Sequence, residues 1–208
     1  MYVFVCFWLL STCITKRNSV NFLSAPDHFN SDRFRIIYVG RVIPGKGVQY
    51  LLDAFVGLLL PNCELWVIGH IAETMRTFCA DYAKRDDRIN FVGSVAHADL
   101  PRMYSSGSVF ALPSVSEGSA LVVYEAMASG LPVITTTNGG SVVRDGIEGF
   151  VIPTRDVEAI REKLHWLYEH PSERLVMGQA AISRALEFSG AQYGQRLIDI
   201  YSRILPQP

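Results

Sequence analysis

Residues 35–60, RIIYVGRVIPGKGVQYLLDAFVGLLL, hold a strand, a turn and a helix in immediate succession. Ile36-Ile37-Tyr38-Val39 is a β-branched and aromatic run ending at Gly40, the pattern of a strand buried on both faces and hence of a parallel sheet. Val48, Leu51, Leu52, Phe55 and Leu59 then recur at i, i+3, i+4, i+7 and i+11, which sets one apolar stripe on a helix that Pro61-Asn62 stops. The same alternation continues along the chain. Strands are expected at 65–69, 90–93, 109–112, 132–135 and 150–152, with helices over 73–84, 98–105 and 120–129 between them. Repeated βαβ units with right-handed crossovers predict an α/β fold, a Rossmann-like doubly wound parallel sheet. Ligands of such a sheet bind in the loops beyond the carboxyl ends of its strands.

After residue 152 the pattern is helical only, over 157–170 and 171–188. In a last segment Tyr193, Leu197, Ile200, Tyr201 and Ile204 share one face. These helices are expected to cover the sheet edge. The chain shows no internal repeat and no low-complexity tract.

A length of 208 residues suits one good-sized domain with appendages rather than two full domains. Hydrophobic residues make up 49% and charged residues 19%, which excludes disorder for most of the chain. A net charge of -1 supplies no basic field to hold a nucleic-acid backbone, so a general nucleic-acid binder is excluded. Cys6, Cys13, Cys63 and Cys79 form no Cys-x-x-Cys pair and the histidines are scattered, so no metal site is expected and reduced thiols of a cytoplasmic protein are.

The expected divisions are an apolar start and linker over 1–34, the Rossmann-like domain over 35–188, and a final helix over 189–208. Tyr2 to Ile14 is mostly apolar but, at thirteen residues, is shorter than the roughly 20 needed to span a bilayer. It reads as a weak signal-like or interfacial anchor, as a strand from a domain whose front part lies elsewhere, or as the odd start of an incomplete reading frame.

Three constellations could carry chemistry. Gly40-Arg41-Val42-Ile43-Pro44-Gly45-Lys46-Gly47 puts two cations in a Gly-rich turn at a helix entrance, where free N–H groups and positive charge favour an anion. The same segment can be a plain helix-capping turn with two solvated cations. It is also nearly a P-loop, which suggests a nucleotide hydrolase, but Gly47 stands where the magnesium-binding Ser/Thr belongs.

The second constellation runs from Pro113 to Val133, with Glu117 in a loop at a strand's carboxyl end and Glu125 eight positions on among apolar neighbours. A carboxylate there needs hydroxyls, N–H groups or cations, so a polyol such as ribose is a natural partner. The alternative is a helix-capping Glu117 and a surface Glu125. The third signal is Gly139-Gly140 and Asp145-Gly146, which contact a ligand at the same sheet edge or merely punctuate a loop.

Taken in order, Gly40-Arg41, Lys46-Gly47, Val67-Ile68-Gly69, Phe91-Val92-Gly93, Val109 to Ser114, Glu117-x7-Glu125 with Ala126-Met127-Ala128, Gly130-Leu131-Pro132-Val133 and Asp145-Gly146 before Gly149-Phe150 resemble the donor-binding, C-terminal half of retaining GT-B glycosyltransferases of family 4. The resemblance covers the chain from about Arg35 onward. It implies a UDP-, GDP- or ADP-sugar donor and transfer of a hexose, with retention of configuration, to a sugar, lipid or small-molecule acceptor, without a metal or other cofactor.

By position in that family, Arg41, Lys46 and Glu117 would be the catalytic set. Arg41 and Lys46 would neutralise the diphosphate, and the amides of Ser119, Ala120 and Leu121 after Gly118 would bind a phosphate oxygen. Glu117 would hold hydroxyls of the transferred sugar and Glu125 those of the ribose. Gly40 and Gly69 would line the donor site, and the loop near Val95 would meet the base.

Two departures stand out. Ser119 and Ala120 replace the family's usual aromatic residue and Gly, and Ser141-Val142-Val143-Arg144 follows the Gly-Gly pair where a Glu is common. The resemblance places the acceptor site in an N-terminal half, expected to come from outside these residues, with contact at the cytoplasmic face of a membrane left open. The alternative within the same resemblance is a noncatalytic nucleotide-sugar sensor or subunit that needs a partner chain.

Overall fold

The structure is a computed structural model and describes residues 33–188 and 190–204. The apolar start, its linker up to residue 32, Cys6 and Cys13 lie outside the described residues.

Six parallel strands, β1 (Phe34–Val39), β2 (Cys63–Ile68), β3 (Ile89–Gly93), β4 (Val109–Leu112), β5 (Val133–Thr136) and β6 (Gly149–Ile152), form one sheet in the order β3-β2-β1-β4-β5-β6. β1 pairs with β2 on one side and with β4 on the other. The chain therefore winds outward first in one direction and then in the other, as the strand pattern predicts. Loops after β1 and β4 diverge at this reversal and leave a crevice at the carboxyl end of the sheet.

Among the described residues seven helices connect and cover the strands: α1 (Val48–Val56), α2 (Arg76–Arg85), α3 (Leu100–Ser105), α4 (Leu121–Ala128), α5 (Val157–Glu169), α6 (Pro171–Leu186) and α7 (Gly190–Ile204). α1 packs against α5, while α4 packs against α3 and α6, so both faces of the sheet are covered. Every residue of β4 and β5 is buried, as interior strands require: β4 is a continuous apolar run, and β5 buries Thr135 and Thr136 along with Val133 and Ile134. The edge strand β3 alternates between buried and exposed positions instead.

The structure departs from the expected elements in places with clear physical causes. β1 begins at Phe34, inside the expected linker, because the Phe34 ring is buried edge-on against Tyr168 and its N–H donates to the Asn62 carbonyl at 2.7 Å. α1 ends at Val56, not near Pro61: Val48, Leu51, Leu52 and Phe55 are fully buried, but Leu59 is 89% exposed. Gly57 caps the helix, and a Cβ there would lie 2.5 Å from the Arg161 guanidinium. Arg161 reaches across from α5 to the Ala54 carbonyl at 3.4 Å, so the helix end is fixed by a tertiary contact rather than by the downstream proline.

The helices expected over 73–84 and 98–105 each open with a 3-10 turn, Glu73–Met75 and His97–Asp99, before α2 and α3 proper. α7 begins at Gly190, three residues before the expected apolar face, and Ile198, Ile200 and Tyr201 on it are exposed. Cys63 and Cys79 are free and buried, and burial pushes the Cys63 thiol up to about 12, as inert reduced thiols should be. Among the described residues no helix is long and apolar enough to cross a membrane.

Candidate functional site

The crevice is built by three loops. The first follows β1: Gly40 turns the chain, a 3-10 turn spans Pro44–Lys46, and Gly47 starts α1. Tyr38, fully buried in β1, donates its hydroxyl to the Arg41 carbonyl at 3.1 Å and so fixes the loop that carries Arg41. Burial raises the phenol's pKa, which keeps that proton in place. Gly47 has φ +71, and a Cβ on it would lie 1.8 Å from the Pro113 carbonyl oxygen. Only glycine lets this turn sit on the end of β4. That contact also excludes a Ser or Thr at 47, so residues 40–47 are not a P-loop.

The second loop follows β4. Val115 N–H donates to the Gly45 carbonyl at 3.0 Å, which ties this loop to the first. Glu117 N–H donates to the Asn138 carbonyl at 2.9 Å, which ties it to the third loop, after β5. The loops after β1, β4 and β5 thus form one hydrogen-bonded rim. In it the Lys46 ammonium meets the Glu117 carboxylate in an ion pair, with the two side chains 24% and 17% exposed. Burial, and then the nearby Arg41 guanidinium, lower the Lys46 pKa; the carboxylate in contact opposes that shift. Arg41 itself is exposed. The three residues expected to act on a diphosphate and a sugar are therefore neighbours.

Gly118 and Ser119 follow, both exposed, and a Cβ at Gly118 would meet nothing within 4 Å. Ala120 is the N-cap of α4 and supplies no side-chain cap. The first helical N–H taken from within is that of Val123, by the Ala120 carbonyl at 3.0 Å. The amides before it are the unsatisfied donors every helix start presents, here next to Lys46 and Glu117.

Glu125 lies in the middle of α4, with its side chain 16% exposed. It is neither a surface residue nor unpaired. Tyr104 of α3 donates its hydroxyl to Oε2 at 2.9 Å, and Nε2 of His97 lies 3.0 Å from Oε1. Val95, just before His97, is half-buried and packs on the core. Gly69 follows β2, and a Cβ there would lie 2.0 Å from the Gly40 carbonyl oxygen, so a side chain at 69 would push these two loops apart.

His97 and Tyr104 were not among the residues the sequence singled out. His97 and Glu125 are 28 positions apart and Tyr104 and Glu125 are 21, on different elements, so no local spacing marks them. A tyrosine inside a short apolar helix reads as core. The Asp145-Gly146 pair is loop punctuation: Asp145 Oδ1 accepts from Val151 N–H at 2.9 Å and caps the turn before β6. A separate cleft of about 350 Å³ lies at the amino end of the strands and includes Arg33, Glu64 and Arg88. Within it Glu64 is paired with Arg35 and Arg88 with Asp86, each at 2.6 Å, and Arg33 with Glu64 at 3.5 Å. Among the described residues no group of three or more His, Cys, Asp or Glu could hold a metal.

The family model of glycosyl transferases group 1 matches residues 33–170, more than half of the chain. The chain belongs to the group 1 glycosyltransferases. Among its relatives in this family is the capsular polysaccharide biosynthesis glycosyltransferase CapM of Staphylococcus aureus, 31% identical over 182 residues that cover 85% of this chain and 48% of CapM.

Two solved structures share the fold. Anabaena HepE in complex with UDP and glucose superposes with TM-score 0.73 at 21% identity, over 82% of this chain and 48% of that one. The C-terminal domain of the group 1 glycosyl transferase LpcC from Francisella tularensis superposes with TM-score 0.70 at 23% identity, over 79% of this chain and 92% of that domain. The fold is that of the C-terminal domain of GT-B glycosyltransferases. The chain spans about half the length of the curated relatives it matches.

Proposed function

We propose that this group 1 glycosyltransferase chain is the donor-binding half of a retaining enzyme of family 4, which transfers a hexose from a UDP-, GDP- or ADP-sugar. The observation that carries the reading is the Lys46–Glu117 ion pair, with Arg41 beside it and the start of α4 adjoining. A cation for phosphate and a carboxylate for sugar hydroxyls stand in contact at one sheet end, as a nucleotide sugar with its diphosphate next to its hexose requires.

Donor entry exchanges this pair for new partners. The diphosphate takes Lys46, and a sugar hydroxyl takes Glu117. As the glycosidic bond breaks, negative charge grows on the departing diphosphate, where Arg41, Lys46 and the amides of Ser119, Ala120 and Leu121 stabilise it. Preorganised cations and N–H donors then do what magnesium does elsewhere, so UDP affinity is expected to be the same in EDTA as in magnesium, measured by calorimetry. A large magnesium dependence would refute the metal-free reading.

Arg41→Ala and Glu125→Gln are each expected to weaken binding of the preferred nucleoside diphosphate by about 1–3 kcal/mol, the usual range for a lost hydrogen bond to a charged group. Titration of the full chain with UDP, GDP and ADP tests this. Unchanged affinity in both variants would remove the site assignment, and no binding at millimolar concentration would remove the function.

A second reading is a noncatalytic nucleotide-sugar-binding subunit, since the Lys46–Glu117 pair can hold a donor without transferring its sugar. In both readings the acceptor site is supplied by another domain or chain. A partner whose addition starts sugar transfer supports the enzyme; donor binding without transfer in its presence supports the subunit. We place the protein in the cytoplasm, consistent with its buried, unpaired Cys63 and Cys79.

A further inference from the structure

The carboxylate of Glu125 is already held at both oxygens. Tyr104 is 1% exposed, so its hydroxyl has no bulk water to turn to; of the two acceptors in reach, Glu125 Oε2 at 2.9 Å and the Val122 carbonyl at 3.5 Å, the carboxylate is the nearer and the charged one. His97, with its side chain 49% exposed, reaches Oε1 from the 3-10 turn after β3. An imidazole facing a carboxylate through Nε2 carries its proton on that nitrogen, so it donates.

A carboxylate has about four acceptor sites, two on each oxygen. Tyr104 and His97 fill one on each. One site per oxygen remains, on a side chain that is 16% exposed rather than sealed in the core. Two acceptors side by side, pinned in orientation, match a vicinal diol that donates two hydroxyl protons. Without the two donors the carboxylate could turn about its last bond, and a diol would have to order it on binding.

We propose that Tyr104 and His97 are positioning residues that orient Glu125 to read the 2′,3′-diol of ribose, so that the site selects ribonucleotides over 2′-deoxyribonucleotides. This rests on the nucleotide-sugar reading above and extends it to two residues of α3 and its leading turn. The two hold by different means. Tyr104 is buried and always engaged, whereas His97 is half-exposed and sets the second oxygen from the solvent side.

The test is calorimetry on the full chain with UDP, GDP and ADP and the 2′-deoxy form of whichever binds tightest. The wild type is expected to prefer the ribo form by about 10–100-fold, since a site built around a substrate hydroxyl rejects the analogue lacking it. Tyr104→Phe is expected to reduce that preference to about threefold or less by weakening the ribo form, with deoxy binding changed less than about twofold. His97→Ala, at an exposed position that leaves the core intact, should reduce it several-fold, and His97→Gln, which returns an N–H donor, should restore it. A loss of ribo and deoxy binding in parallel would mean a merely structural role and overturn the proposal. Equal wild-type affinity for both forms would overturn it while leaving the donor-binding reading standing. No nucleotide binding at all would remove both.

Discussion

Lys46→Ala is expected to lower UDP affinity by about 100-fold or more. Two effects add. The variant loses a charge-assisted contact to phosphate, about 1.5–3 kcal/mol. It also leaves the Glu117 carboxylate, 17% exposed and now unpartnered by its cation, facing an anionic ligand. Two like charges about 4 Å apart repel by about 1 kcal/mol in water and more at a partly buried site. The double variant Lys46→Ala/Glu117→Gln separates the two contributions, because removing the stranded carboxylate should recover about tenfold of the lost affinity. UDP rather than a UDP-sugar is the ligand for this cycle, so that contacts of Glu117 with the sugar do not enter. Affinity of Lys46→Ala within about threefold of wild type would show that the diphosphate does not sit at this turn.

Gly47→Ala is expected to destabilise the fold by about 2–5 kcal/mol, from about 1–2 kcal/mol for a left-handed backbone with a Cβ and about 1–3 kcal/mol for overpacking. The methyl would lie 1.8 Å from the Pro113 carbonyl oxygen, a backbone atom at the end of an interior strand, so relief requires the two loops to part. At about 2–4 °C per kcal/mol for a domain of this size, thermal unfolding should fall by roughly 10 °C. Nucleotide affinity should fall with it, because the same displacement separates Lys46 from Glu117. Gly45→Ala is the control, since nothing lies within 4 Å of its Cβ position. A Gly47→Ala protein that melts with the wild type would contradict the packing described here.

The parts of this molecule that could be read from sequence are those whose cause is local or periodic. Tyr38 and its neighbours form a fully apolar strand, Val48 to Phe55 recur at helical spacing, and both patterns are recorded within a few residues of each other. Glu125 was legible because a carboxylate among apolar residues is conspicuous, and Glu117 because it stands in a polar loop at a strand's carboxyl end. What set their surroundings was not legible. The Lys46–Glu117 pair joins residues separated by the whole of β2 and β3, and the donors to Glu125 come from α3 and the turn before it. Such contacts follow from the strand order, which brings the ends of β1 and β4 together only once the chain has reversed direction across the sheet. The early end of α1 has the same origin: Arg161, more than a hundred residues away, occupies the space into which the helix would have grown.

Gly118 and Ser119 stand clear of the packed interior, next to the carboxylate that would meet the sugar. On the proposed reading, substitutions there would change which sugar is accepted while the strands beneath hold their places, so that preference could drift without endangering the scaffold. A lineage could try many substrates at these two positions and still inherit the same sheet.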